Sequence, residues 1–156
     1  WCARQRVKCL IVRLPLLAGK YPPGNLASMI NVIKRGYYFN VLGDARKSVV
    51  MAEDVAKIIP KGAEIGGTYN LTDSYHPSVK ELSELIAKQL GKSKPKTLPK
   101  WIGNFFSLIV KKFSFLESGT GYKFIKLTST LTFDDSKARE LLGWSPKRVL
   151  VHFKIR

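Results

Sequence analysis

The 156-residue chain is 45% apolar and 24% charged, a balance that belongs to a folded chain and excludes a disordered polar segment. Its 27 basic residues against 11 acidic ones give a net charge of +16, which draws polyanions, nucleotide phosphates and anionic surfaces without choosing among them. The two cysteines, Cys2 and Cys9, match neither a zinc-site spacing nor a disulfide framework and are expected as reduced thiols, while the apolar runs are too short to span a bilayer. No N-terminal stretch combines a charged start, an apolar run and a cleavage site, so a soluble, cytoplasmic protein is expected.

In chain order, the branched apolar run over residues 7–17 predicts a buried parallel strand that Pro15 ends. Tyr21-Pro22-Pro23-Gly24 predicts a loop, after which Leu26, Met29, Ile30 and Ile33 recur at helical spacing until Gly36. Asn25 falls at or beside that helix's N-cap. Strands over Phe39–Leu42 and Ser48–Met51 flank the turn Gly43-Asp44. A helix follows from Glu53, with Val55, Ala56, Ile58 and Ile59 at its spacing and Glu53 and Asp54 suited to its positive end.

Thr68–Leu71 predicts a further strand. Ser78 and Glu81 have the spacing of a capping box, and Val79, Leu82, Leu85, Ile86 and Leu90 line one face of the helix that Gly91 stops. Residues 92–99 read as a basic, proline-interrupted linker. Trp101 through Phe113 predicts a helix with a wide apolar face, read as a core helix that could also meet a partner. After a break over Ser118–Gly121, Leu131–Phe133 predicts a short strand, and Asp135 or Ser136 starts a helix ending at Leu142-Gly143.

The charge is uneven. No acidic residue precedes Asp44, and nine lysines from Lys88 to Lys126 face one acid, Glu117. Most of these lysines stand singly among apolar residues, the pattern of a solvated surface. His76 and His152, the two histidines, have no Cys, Asp or Ser at motif spacing, which supports neither a metal site nor a nucleophile triad.

Four segments in fixed order carry a resemblance: Ile11-Val12-Arg13-Leu14-Pro15 leading to Pro22-Pro23-Gly24-Asn25-Leu26; Arg46-Lys47-Ser48-Val49-Val50-Met51-Ala52-Glu53-Asp54-Val55-Ala56; Gly67-Thr68-Tyr69-Asn70-Leu71; and Asp134 through Leu142-Gly143-Trp144-Ser145-Pro146. Together they resemble the C-terminal half of an extended short-chain dehydrogenase/reductase of the NAD-dependent nucleotide-sugar epimerase/dehydratase family. The resemblance implies an α/β fold, made of the C-terminal part of a Rossmann-type parallel sheet and a small α/β substrate-binding lobe. Residues 1–60 would hold the end of the Rossmann-type core with interleaved lobe segments, and residues 61–156 the rest of the sheet and the lobe. In the family, the Gly-rich dinucleotide loop and the Tyr-x-x-x-Lys catalytic pair precede the matched segments, so the chain resembles half an enzyme and is expected not to turn over alone.

The same resemblance implies the site. The backbone of Pro15, Leu16 and Leu17 would border the nicotinamide of NAD, and Asn25 and Leu26 would offer side-chain and backbone donors to the substrate diphosphate at a helix N-terminus, where orphan N–H groups favour an anion. The family's diphosphate arginine aligns most directly with Lys47, with Arg46 next to it as the alternative, since a lysine lacks the planar fork of a guanidinium. Asn40 and Leu42 lie on the strand that reads the uracil edge, with Leu42 where an aromatic is common and Tyr38 or Phe39 as a substitute. A second arginine of the family has no counterpart here, and Lys126 in the matching region Ile125 to Ser129 could neutralise the same phosphate. The Asp135 to Pro146 segment is read as structural, with Leu141, Leu142 and Trp144 packing the last helix, and Asp54 as a helix N-terminal carboxylate.

A nucleotide sugar is thus the expected partner, with a separate N-terminal half or a second copy as a possible protein partner, and neither a nucleic acid nor a membrane span. Rival readings are a basic nucleic-acid-binding module, favoured by charge but lacking any known motif, and a non-catalytic assembly protein.

Overall fold

The computed structural model describes residues 8–40, 45–98 and 130–155. Its elements in order are β1 (Leu10–Arg13), β2 (Leu16–Ala18), α1 (Gly24–Lys34), β3 (Val49–Met51), α2 (Ala52–Ile65), β4 (Gly67–Asn70), α3 (Val79–Gln89), α4 (Ser136–Leu142) and α5 (Val149–His152). The predicted helix over residues 101–113, the break at residues 118–121, and Cys2, Leu42 and Lys126 lie outside the described residues.

The single strand expected over residues 7–17 is two strands. β1 pairs in parallel with β4, Leu10 opposite Gly67, and β2 pairs in parallel with β3, Leu16 opposite Val49. Pro15 follows the end of the β1–β4 ladder and separates the two pairings, because it has no N–H to give to a ladder while Leu16 N–H donates to Ser48 O at 3.3 Å and starts the next one.

Side-chain alternation makes β2 and β3 the wall between two apolar cores. Leu16, Ala18, Val49 and Met51 face a core with Leu26, Met29 and Ile33 of α1, Leu82 and Ile86 of α3, and Val149 and Phe153. Leu17 and Val50 face a second core, which Leu10, Val12, Val55, Tyr69, Leu71, Ala138, Leu142 and Trp144 complete. Both cores draw on residues before and after residue 60, and α2 runs across that position.

α2 begins at Ala52, one residue before the expected start, and continues past Pro60 to Ile65. Pro60 is exposed. Gly62 is buried where an added Cβ would come within 2.9 Å of Leu10, so the end of α2 lies directly on β1. The α3 cap is as the sequence predicts: Glu81 N–H donates to Ser78 Oγ at 3.1 Å and Ser78 N–H to Glu81 Oε2 at 2.8 Å. The strand expected over Leu131–Phe133 is reduced to one parallel bridge, Lys47 to Leu131, since Phe133 N–H turns to the Ser48 hydroxyl at 2.8 Å. Leu142 and Trp144 are buried as expected. Leu141 is 54% exposed, one step around a seven-residue helix from the buried pair Ala138 and Leu142.

Candidate functional site

The β2–β3 register decides which residues meet at the start of these two strands. With Leu16 opposite Val49, the residues just before the strands, Pro15 and Ser48, are neighbours, and Leu14 lies level with Lys47. Pro15, Leu16 and Leu17 are therefore brought beside residues 47–50. Leu16 and Leu17 are half-buried with their side chains in opposite cores, so their backbone and Pro15 form the edge.

Arg46 and Lys47 have different environments. Arg46 is exposed; its Nη1 donates to His76 O at 3.0 Å and its backbone pairs with Ser78. Lys47 is only 5% exposed, and burial lowers the pKa of its amine. Its N–H donates to Pro77 O at 2.9 Å. Neighbouring residues on an extended backbone point to opposite sides, which leaves Arg46 as the outward cation of the pair.

Asn25 is not the N-cap. Pro23 takes that position, Gly24 follows at φ +62°, and Asn25 is the second helical residue, half-buried. Pro23 makes no side-chain cap bond and the first turn of α1 holds no acid, so among the described residues no side chain is seen to cap the donors at this helix N-terminus. The Leu26 side chain is 1% exposed and belongs to the core.

Asn40 is tied into the fold. Its N–H donates to Lys96 O at 3.0 Å, its carbonyl accepts from Leu98 N–H at 2.8 Å, and its buried amide meets Ser83 Oγ at 3.0 Å. Ser83 has one hydroxyl hydrogen and also lies 2.9 Å from Lys80 O. That one hydrogen is shared between Asn40 Oδ1 and Lys80 O, and the buried Asn40 amide nitrogen has no partner among the described residues. Tyr38 packs against the α1–α3 core and burial pushes its phenol up to about 12, whereas Phe39 is 47% exposed.

The loop from Leu71 to Ser78 carries contacts that sequence spacing did not announce. Ser74 and His76 both have positive φ, 61° and 52°, a region few non-glycine residues occupy. His76 Nδ1 lies 3.0 Å from Ser48 Oγ, giving this histidine a serine partner 28 residues away. Trp144 Nε1–H donates to Thr72 O at 2.8 Å, and Val149 N–H to Asp73 Oδ2 at 2.9 Å. Asp54 is more than a helix-end charge: its Oδ2 accepts from Lys147 N–H at 2.8 Å and its Oδ1 meets Lys57 Nζ at 3.3 Å. Among the described residues there is no cluster of metal-ligating side chains and no helix long and apolar enough to cross a membrane.

The sequence matches no known family model and no curated protein sequence. Its structure does match solved ones. A nucleoside-diphosphate-sugar epimerase from Pseudomonas aeruginosa superposes with a TM-score of 0.67 at 20% identity, over 94% of this chain and 45% of its own. A UDP-N-acetylglucosamine 4-epimerase from Bacillus cereus gives 0.62 at 16% identity, over 94% and 44%. A UDP-glucose 4-epimerase from Thermotoga maritima, solved with UDP-glucose, gives 0.60 at 18% identity, over 94% and 43%. The 156-residue chain therefore has the α/β fold of part of these nucleotide-sugar epimerase structures and spans less than half the length of each.

Proposed function

We propose that this chain is the substrate-binding portion of an NAD-dependent nucleotide-sugar epimerase or dehydratase, with the nucleotide diphosphate held between the N-terminus of α1 and Arg46. The β2–β3 pairing, which puts Pro15 beside Ser48 and Lys47, is the observation that carries it. The acid-free first turn of α1, with no side-chain cap seen among the described residues, supports the anion side of the site: Asn25 and the Leu26 N–H donate there, and Arg46 adds a planar cation. Lys47, being buried, acts mainly by its charge behind that edge. Asn40 holds the adjoining loop, and Phe39 is the exposed aromatic available to a base. Leu42 and Lys126 remain proposed ligands on the strength of the sequence alone.

The end of β1 suits one side of a nicotinamide ring: Ile11 and Leu14 leave apolar surface 51% and 42% exposed around Pro15. When bound, NAD supplies a hydride acceptor and donor. The chain's own part is to border that ring with the backbone of Pro15, Leu16 and Leu17 and to orient the nucleotide. Tyr122 and Lys126 have the Tyr-x-x-x-Lys spacing, but they follow β4 in the chain, whereas the family's pair precedes the strand matched by β1. We therefore expect no turnover of a UDP-sugar by the 156-residue chain alone, and a need for a polypeptide supplying the Gly-rich loop and catalytic pair.

Calorimetric titration with UDP-glucose tests the reading. Binding by the chain, or by the chain joined to such a partner, that is lost in Arg46→Ala and in Asn25→Ala supports it. Undiminished binding in both variants refutes the assigned site.

A further inference from the structure

A hollow of about 320 Å³ lies between the loop after β4 and the segment linking α4 to α5, and its Tyr75 wall adjoins His76, whose carbonyl accepts from Arg46. Arg139, Arg148, Ser74, Tyr75 and Ser145 line it, with Asp73 at its base. Both Asp73 oxygens already accept backbone N–H groups, from Tyr75 at 3.2 Å and Val149 at 2.9 Å. Arg139 is shared between Asp135, at 3.3 Å, and the Ser74 hydroxyl. Arg148 lies over the Tyr75 ring, 5.4 Å from its centroid, and has no carboxylate partner among the described residues. The hollow thus holds two guanidinium groups, Arg139 already paired with Asp135 and Arg148 without a carboxylate among the described residues.

Ser145 stands at its rim. The residue is exposed, and its hydroxyl has no hydrogen-bond partner among the described residues. Its flanks are fixed, by Trp144 Nε1–H on Thr72 O and by Lys147 N–H on Asp54, so the backbone that presents the hydroxyl is held in place. The local sequence is Ser145-Pro146-Lys147-Arg148. A serine followed by proline, with a basic residue two places beyond the proline, is what a proline-directed serine kinase reads. Proline removes the backbone donor at the next position, and the later cation meets an anionic subsite of the kinase.

We propose that Ser145 is a phosphorylation site whose phosphate docks on Arg139 and Arg148, clamping the end of α4 to the segment that leads into α5. In the transfer, Ser145 Oγ bonds to the γ-phosphorus of ATP as the bond from that phosphorus to the β–γ bridging oxygen breaks. The hydroxyl proton goes to the kinase's general base and ADP leaves. The product places close to two negative charges and three acceptor oxygens beside the two guanidinium groups.

Two measurements test this. The folded chain, incubated with ATP, magnesium and a proline-directed serine kinase, should gain one phosphate at Ser145 by peptide mass mapping, and Ser145→Ala should lose that site. Modification of a free peptide spanning residues 140–150 but not of the folded chain would overturn the proposal, as would modification of neither. For docking, phosphoserine is installed genetically at position 145, which removes dependence on the kinase. The phosphorylated chain should melt about 3 °C higher than the unmodified one at low salt, less so at high salt, and the gain should vanish in Arg148→Gln. An unchanged or lowered melting temperature, or a gain that survives Arg148→Gln, would sink the clamp.

Discussion

Ser48 Oγ and His76 Nδ1 lie 3.0 Å apart, joining the start of β3 to a loop residue held at φ 52°. The same hydroxyl accepts Phe133 N–H at 2.8 Å, so one buried side chain, 1% exposed, ties three stretches of the chain together. Ser48→Ala removes both contacts and strands the Phe133 N–H. A loss of about 1–3 kcal/mol is expected, read as a lower urea midpoint with an unchanged slope.

Trp144 and Leu141 separate burial from hydrophobic character. Trp144 is 4% exposed and its Nε1–H serves the Thr72 carbonyl; Leu141 is 54% exposed. Trp144→Phe should cost about 1–3 kcal/mol through the abandoned acceptor and the smaller ring. Leu141→Ala should stay within roughly 0.5 kcal/mol of the parent. Equal losses in thermal melts of the two variants would contradict the packing of α4.

Tyr38 and Lys47 act in opposite directions at alkaline pH. Burial raises the Tyr38 phenol from 10.0 to about 12, so between those values the unfolded chain has lost the proton that the folded chain keeps. Stability should fall there by roughly 1.4 kcal/mol per pH unit, and Tyr38→Phe should flatten the fall. For Lys47 the folded pKa lies below the ordinary 10.5, so from that lowered value up to 10.5 the unfolded chain holds the extra proton and stability climbs with pH. Lys47→Met should remove the climb. Urea midpoints measured from pH 8 to pH 12 would display both effects.

Local signals in the sequence were enough where structure is local. The α3 capping box needs only Ser78 and Glu81 three positions apart, and the stripe Leu26, Met29 and Ile33 needs only helical period. Pro15 does follow the end of the β1–β4 ladder, but the second pairing beyond it is not legible locally, because its partner, β3, is set by distant chain. The loop-to-helix boundary puts Asn25 at or beside the cap, yet Gly24 at positive φ is already helical and the cap falls on Pro23. The Ser48–His76 pair and the Asp54–Lys147 clasp span 28 and 93 residues, and nothing in spacing predicts either. On the candidate site, the order of segments was legible, whereas the burial that turns Lys47 and Asn40 inward and leaves Arg46 outward was not.

Charge and site geometry give separable predictions for binding. A net charge of +16 attracts any polyanion, and such binding falls steeply with salt and responds to the loss of almost any exposed lysine. A diphosphate site at α1 and Arg46 depends on particular groups. UDP-glucose and a short DNA duplex should therefore be titrated side by side at two salt concentrations. Arg46→Ala should weaken UDP-glucose binding by about tenfold or more, the loss of one or two charge-assisted hydrogen bonds, while barely altering DNA binding. The double variant Lys92→Ala, Lys94→Ala removes two exposed cations beyond α3 and should do the reverse. Raising the salt should affect DNA much more than the nucleotide sugar. Tight DNA binding with no detectable UDP-glucose binding, even after a partner polypeptide carrying the Gly-rich loop is supplied, would abandon the epimerase reading for a nucleic-acid one.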